Sequence, residues 1–210
     1  MFAPFKPSRK AFLLKIARRV MQERGFLTDF SPAALDELKL IGTVHWEAAN
    51  TSRDQRQLPW TSIDNDDSLD LDQLTAAEVL PAGRTRIRVA VADVDSLVKF
   101  NSAIDDHARQ NTTSVYTAGT IFPMLPDKLS TDLTSLKFQT DRPAIVVDMV
   151  FGDSGDLDSS DIYRAAVRNH AKLTYHGVAA WLEGTGDLPP ALAAAPHLAV
   201  HDFARERIPG

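Results

Sequence analysis

The 210-residue chain has no cysteine. Disulfides, iron–sulfur clusters and cysteine-ligated zinc are therefore excluded. The absence fits a cytoplasmic protein, and a cytoplasmic location is the expectation. No apolar run approaches the roughly 18 to 20 residues of a membrane span, so no membrane partner is expected. The basic N-terminus leads into an amphipathic pattern broken by charges, not into the apolar core of a signal peptide. No internal repeat is visible. What is present is ordinary globular material, 44% hydrophobic and 24% charged, enough for one domain or one domain with a small appendage.

The net charge of −5 hides an asymmetry. Residues 1–24 hold seven Lys or Arg (Lys6, Arg9, Lys10, Lys15, Arg18, Arg19, Arg24) against a single acid, Glu23. The remainder carries sixteen basic and twenty-seven acidic residues. A cationic arm on an acidic body suits a polyanion. A solvated helix face explains the same charges, and both readings stay open.

Five of the ten residues in 64–73 are aspartates. Carboxylates this dense repel one another, and burying them unpaired costs several kcal/mol each, on the order expected for isolated buried charges. A solvated acidic loop is one outcome; a site for a hard divalent cation is the other. Asp70 and Asp72 are two apart, so an extended segment places both on one face. Asp64 lies six before Asp70, an even offset, although a turn at residues 65–68 can redirect it. Magnesium needs only a few carboxylates when waters and a substrate phosphate complete its shell. A calcium loop of the EF-hand kind would require Gly where Leu69 stands and Glu where Thr75 stands, and is rejected.

Periodicity predicts a helix over 8–24, with Ser8 as cap and Gly25 as its end. Ser31-Pro32 starts a second helix with Leu35, Leu38 and Ile41 as its buried stripe. The pair reads as a basic, helix-turn-helix-like region over 1–48, or as a helical hairpin packed on other elements. Residues 49–60 read as a polar linker. Residues 84–93 form the clearest strand, with Arg84, Arg86 and Arg88 on one face as a phosphate track or a solvated surface. Residues 104–111 look helical, and 143–151 form a strand. Gly152-Asp153-Ser154-Gly155 is a turn that returns the chain over 162–168. Helices are expected over 175–183 and 196–207. Helices, then strands, then helices give an α+β fold with mostly antiparallel strands.

Seven patterns follow in order: Thr61-Ser62-Ile63-Asp64, Leu69-Asp70-Leu71-Asp72, Val91-Ala92-Asp93-Val94, Thr113-Ser114-Val115-Tyr116, Phe122-Pro123-Met124-Leu125-Pro126, Leu133-Thr134-Ser135-Leu136 and Asp141-Arg142-Pro143. Together they resemble the RNB catalytic domain of the ribonuclease II/ribonuclease R family, from about residue 61 to 183. The resemblance implies a hydrolytic 3′→5′ exoribonuclease acting on single-stranded RNA and releasing nucleoside 5′-monophosphates. It implies Mg2+, with Mn2+ as substitute, held by Asp64, Asp70 and Asp72, of which Asp70 and Asp72 are the catalytic pair. The family usually has a fourth aspartate where Gln73 stands; an amide oxygen can ligate metal but brings no charge. Tyr116 matches a tyrosine that packs on the terminal nucleotide, and Arg142 is the other RNA-contact candidate. Phe122 to Pro126 shape a cavity wall or a rigid turn. Asn111-Thr112 stand where the family often has Arg-Gly. The family's domain continues for about as long again beyond residue 210, so residues 61–210 are expected to be its N-terminal half, with the missing half as a partner. Two rival functions remain: a non-catalytic RNA-binding or interaction fragment, and a DNA-binding regulator acting through the N-terminal helices.

Overall fold

A computed structural model describes residues 9–41 and 53–193. The chain divides into two compact units, Met1–Val44 with Asp95–Lys128, and His45–Val94 with Leu129–Gly210. The expected division at 49–60 is therefore not the one observed, because residues 95–128 group with the N-terminal helices.

The first unit contains α1 (Arg9–Glu23), α2 (Pro32–Leu40), α3 (Ala103–Asn111) and a hairpin of β5 (Val115–Tyr116) with β6 (Ile121–Phe122). Helix α1 ends where Gly25 takes φ +81° and the Phe26 N–H returns to the Met21 carbonyl at 3.0 Å. That left-handed position suits glycine. Ser31 caps α2 by accepting from the Ala34 N–H at 3.1 Å. The buried residue of α2 is Ala34, whereas Leu35 of the expected stripe is 43% exposed. Helix α2 packs on α3, and the Glu37 carboxylate accepts from the Ile104 N–H at 3.1 Å. At the end of α3, Asn111 is fully buried and clasps the backbone of Leu27 through both its amide oxygen and nitrogen. Thr112 adopts φ +57°, which explains why glycine suits that position. Phe30 lies against the buried His107 ring at 4.1 Å.

The second unit is built on a sheet of β1 (Arg53–Asp54), β2 (Thr61–Asp64), β3 (Gln73–Val79), β4 (Thr85–Ala92), β7 (Asp141–Phe151), β8 (Leu157–Arg168) and β9 (Ala171–Thr174), in the order β1-β8-β7-β4-β3-β2-β9. Pairing is antiparallel except for β1 with β8 and β2 with β9. Helices α4 (Tyr175–Leu182) and α5 (Pro190–Ala193) follow. The expected helix over 196–207 lies outside the described residues, as does Ser8. Among the described residues no helix is long and apolar enough to cross a membrane.

The strand order forces the sheet to curl. Strands β8 and β9 are separated in sequence only by Asn169 and His170, a reach of about 11 Å from Arg168 to Ala171. They stand five strands apart in the sheet, roughly 24 Å if it were flat. The sheet must bend round so that its two ends approach. The inner face then alternates strictly along the strands: Leu74 and Ala76, Ala90 and Ala92, Ala144 and Val146, Ala165 and Val167 form one buried cluster. The alanines leave room inside for Trp60, Leu71 and Leu136. Trp60 has no exposed surface, and its Nε1 donates to the Gln55 carbonyl at 2.8 Å. Residues 53–60 are thus not a linker: they supply a strand and a core residue.

The arginines of β4 form no phosphate track. Arg86 and Arg88 both pair with Asp148 and Glu78, and Arg88 is only 7% exposed. The register brings these groups together, since Arg86 lies opposite Glu78 and Arg88 opposite Asp148. At the β1 end, Arg56 bonds both Asp54 and Asp141, and Arg56 holds the Asp54 carboxyl down at about 2.

Two tests follow. Trp60→Ala should cost about 3–5 kcal/mol, read as a lower urea midpoint. Burial pushes the His107 imidazole pKa down, partly offset by the Pro123 backbone. Its folded value lies below its unfolded value, so its contribution is full above the ordinary value of about 6.5 and is lost as pH falls through that range. His107→Gln should flatten this acid-side loss of stability in urea titrations between pH 7 and 5.

Candidate active site

Strand β2 delivers Asp64 at its end, and the chain then turns. Asp64 Oδ1 accepts from the Asn65 N–H at 2.8 Å and from Ser68 Oγ at 2.7 Å, and the Ser68 N–H reaches the Asn65 carbonyl at 3.3 Å. From β9, Lys172 Nζ donates to the carbonyls of Asp66 and Ser68 at 3.1 and 2.8 Å. A cation therefore clamps the acidic turn through its backbone, and the carboxylates stay out of that clamp.

Residues 69–72 follow the turn, held by the Leu133-Thr134-Ser135-Leu136 pattern. Ser135 Oγ donates to the Leu69 carbonyl at 2.7 Å and accepts from the Leu71 N–H at 3.2 Å. The Leu136 N–H donates to the Leu71 carbonyl at 2.7 Å, and the Ala92 N–H to the Asp72 carbonyl at 2.9 Å. Leu71 is 4% exposed. With Leu71 turned inward, the two-residue period leaves Asp70 and Asp72 both exposed. Asp64 reaches the pair through the turn, not along one straight strand.

The charges meet at Asp72. Its carboxyl pKa is raised, first by loss of solvation and then by the negative charges of Asp64 and Asp70, against the pull of its own backbone hydrogen bond. Among the described residues, no group of three or more His, Asp or Glu is arranged as a metal cage. The donor set is all oxygen, and its unneutralised negative potential suits a hard cation that takes few protein ligands and completes its shell with water and phosphate.

Gln73 follows Asp72 directly. It opens β3 opposite Val91 and lines an apolar recess of about 410 Å³ with Thr61, Ile63, Thr75, Tyr175, Val178, Ala179 and Leu182. Regular alternation accounts for this, because adjacent residues of a strand face opposite ways. Asp64 lines a neighbouring recess of about 420 Å³ with Asn65, Asp66, Asp67, Thr174, Tyr175 and His176. Tyr175 borders both recesses and is 55% exposed. It sits at the first turn of α4, which Thr174 caps by accepting from the Gly177 N–H at 3.1 Å.

Arg142 is committed to structure. Its guanidinium donates to the carbonyls of Ser135, Asp141 and Asp132 at 3.1, 3.2 and 3.2 Å, which spends it on the loop that holds residues 69–71. Tyr116 belongs to the β5–β6 hairpin of the other unit and is 68% exposed. Asp93 is buried and accepts from Arg164 Nε at 3.0 Å, so its motif also serves the scaffold. Sequence reasoning missed Tyr175 and His176, which it read only as the start of a helix. It also missed Lys172 and the Ser135 hydroxyl, whose partners lie 64 or more residues away.

Comparisons with known proteins bear on the family of the chain. Ribonuclease R of Vibrio parahaemolyticus is 41% identical over 143 residues, covering 68% of this chain and 17% of that protein. Exoribonuclease 2 of Escherichia coli is 35% identical over 138 residues, covering 65% of this chain and 21% of that protein. The chain thus spans about a fifth of the length of the curated relatives it matches. The structure of Mycoplasma genitalium RNase R in complex with ribose methylated single-stranded RNA superimposes with a TM-score of 0.75 at 25% identity, covering 89% of this chain and 29% of that one. The family model described as RNB domain matches residues 52–207. With this match running over most of its length, the chain belongs to the RNB-domain family.

Proposed function

We propose that this chain contributes the carboxylate side of a 3′→5′ hydrolytic exoribonuclease site, acting on single-stranded RNA in the cytoplasm and releasing nucleoside 5′-monophosphates. The observation that carries the reading is the RNB-domain match over residues 52–207, within which burial and then the charges of Asp64 and Asp70 raise the Asp72 carboxyl. Asp64, Asp70 and Asp72 would hold Mg2+, or Mn2+ in its place. When bound, the cation polarises the scissile phosphate and lowers the pKa of an attacking water.

The chain's own residues do the rest. Ser68 and the Asn65 N–H orient the Asp64 carboxylate. Lys172 keeps the turn in place. The exposed Tyr175 ring beside Asp64 offers a face for a nucleotide, as does Tyr116 in the other unit. The basic side chains of the sheet give RNA little to hold, since Arg53, Arg56, Arg86, Arg88 and Arg168 are all engaged with internal carboxylates. Phosphate binding depends on counter-charge, so a further segment, the other half of the domain, would supply the grip.

A second reading, an RNA-binding fragment without activity, is favoured by one observation: Gln73 faces the apolar recess and adds nothing to the cluster. Cleavage separates the two. On 5′-labelled single-stranded RNA the chain, alone or with the rest of the domain, should give a ladder shortening from the 3′ end that EDTA abolishes. Asp72→Asn should slow single-turnover cleavage at least about 100-fold, because the several kcal/mol of metal stabilisation amount to tenfold per 1.4 kcal/mol. Unchanged turnover would remove Asp72 from the reaction, and no ladder from folded protein in either setting favours the second reading. In the Asp72→Asn background, where RNA stays intact, Tyr116→Ala should raise Kd roughly 5- to 100-fold, since stacking is worth about 1–3 kcal/mol per base. Fluorescence anisotropy measures it.

A further inference from the structure

The two carboxylate-bearing segments are scarcely paired with each other. Strands β2 and β3 share the single register pair Thr61 with Thr75, and the chain between them is a turn. Carboxylates that repel need something else to hold them at a set separation. The hydrogen bonds that do so are buried and run through two polar side chains. Ser135, 1% exposed, grips residues 69–71 from both sides, donating to the Leu69 carbonyl and accepting from the Leu71 N–H. Asn169, also 1% exposed, donates to Ser62 Oγ at 2.9 Å and to the Leu136 carbonyl at 3.0 Å, while its Oδ1 accepts from the Ala171 N–H at 3.2 Å. Ser62 is two residues before Asp64 on β2, and Leu136 is bonded to Leu71, between Asp70 and Asp72.

We infer that Ser135 and Asn169 are positioning residues that set the separation between Asp64 and the Asp70–Asp72 pair. Asn169 stands in the two-residue link between β8 and β9, where the curled sheet brings its ends together. It has both amide protons and its oxygen engaged, so its geometry is fully specified. Neither residue touches the site itself. Groups that hold ligands in place behind a metal typically tune affinity by about 10- to 100-fold. The metal part of the inference rests on the reading of the aspartates as cation ligands; the fastening of the two segments does not.

The test uses the full 210-residue chain with Ser135→Ala, Asn169→Ala, Ser135→Thr and Thr134→Ala. Thr134 is the control: its hydroxyl is buried in the same turn but donates to the Leu129 carbonyl. Two readouts need no turnover, amide exchange at residues 62–64 and 69–72, and Mn2+ affinity by titration calorimetry. Ser135→Ala, which removes two buried hydrogen bonds, and Asn169→Ala, which removes three, should quicken exchange in both segments at least about tenfold. They should weaken Mn2+ binding about 10- to 100-fold. Thr134→Ala should do neither, and Ser135→Thr, which keeps the hydroxyl, should restore both. Unchanged exchange in Ser135→Ala and Asn169→Ala, or an equal effect in Thr134→Ala, overturns the inference. If the unaltered chain takes up no Mn2+, the metal reading fails, and the exchange readout alone decides whether these residues fasten the segments.

Discussion

The mutual repulsion of Asp64, Asp70 and Asp72 is the constraint on which the second unit turns. Loss of solvation and then the charges of Asp64 and Asp70 raise the Asp72 carboxyl, so the three do not stay near one another on their own account. The scaffold holds them through backbone groups: Lys172 on carbonyls of the turn, Ser135 on Leu69 and Leu71, and Ala92 on Asp72. The clamp leaves the carboxylates themselves available to a cation, because none of these hydrogen bonds uses the side-chain oxygens of Asp70 or Asp72.

The curled sheet makes that clamp affordable. Small inward residues, five of them alanines, let Trp60, Leu71 and Leu136 fill the interior. Leu71 is therefore at once a core residue and the anchor between two exposed aspartates. Apolar burial, worth about 25 cal/mol per Å², opposes the electrostatic cost at the same point in the chain. Elsewhere the unit neutralises its charges internally. Arg86 and Arg88 close on Glu78 and Asp148, and Arg56 and Arg168 share Asp141. No ion pair of this kind holds the side chains of Asp64, Asp70 or Asp72 among the described residues.

The first unit follows a different logic. Its elements are held by side-chain to backbone contacts across long sequence separations, Asn111 with Leu27 and Glu37 with Ile104. Helix α2 buries Ala34 and leaves Leu35 partly exposed, since its contact is with α3 and close approach there favours the small residue. Thr112 carries a left-handed backbone that glycine would adopt more easily.

What the sequence by itself determined was local. Periodicity placed α1, α2, α3 and β4 within a residue or two, and the turn at Gly152 to Gly155 announced the β7–β8 pairing. Ser31 was readable as a cap, because a cap depends on neighbours along the chain. The tertiary structure decided what depends on partners far away. It put Trp60 in the core, bound Arg142 to three carbonyls, placed Gln73 on an apolar recess, and set Tyr175 beside Asp64. Each of these follows from strand order and curvature, through which residues distant in sequence come together, and a one-dimensional pattern of charge and hydropathy carries no record of that closure.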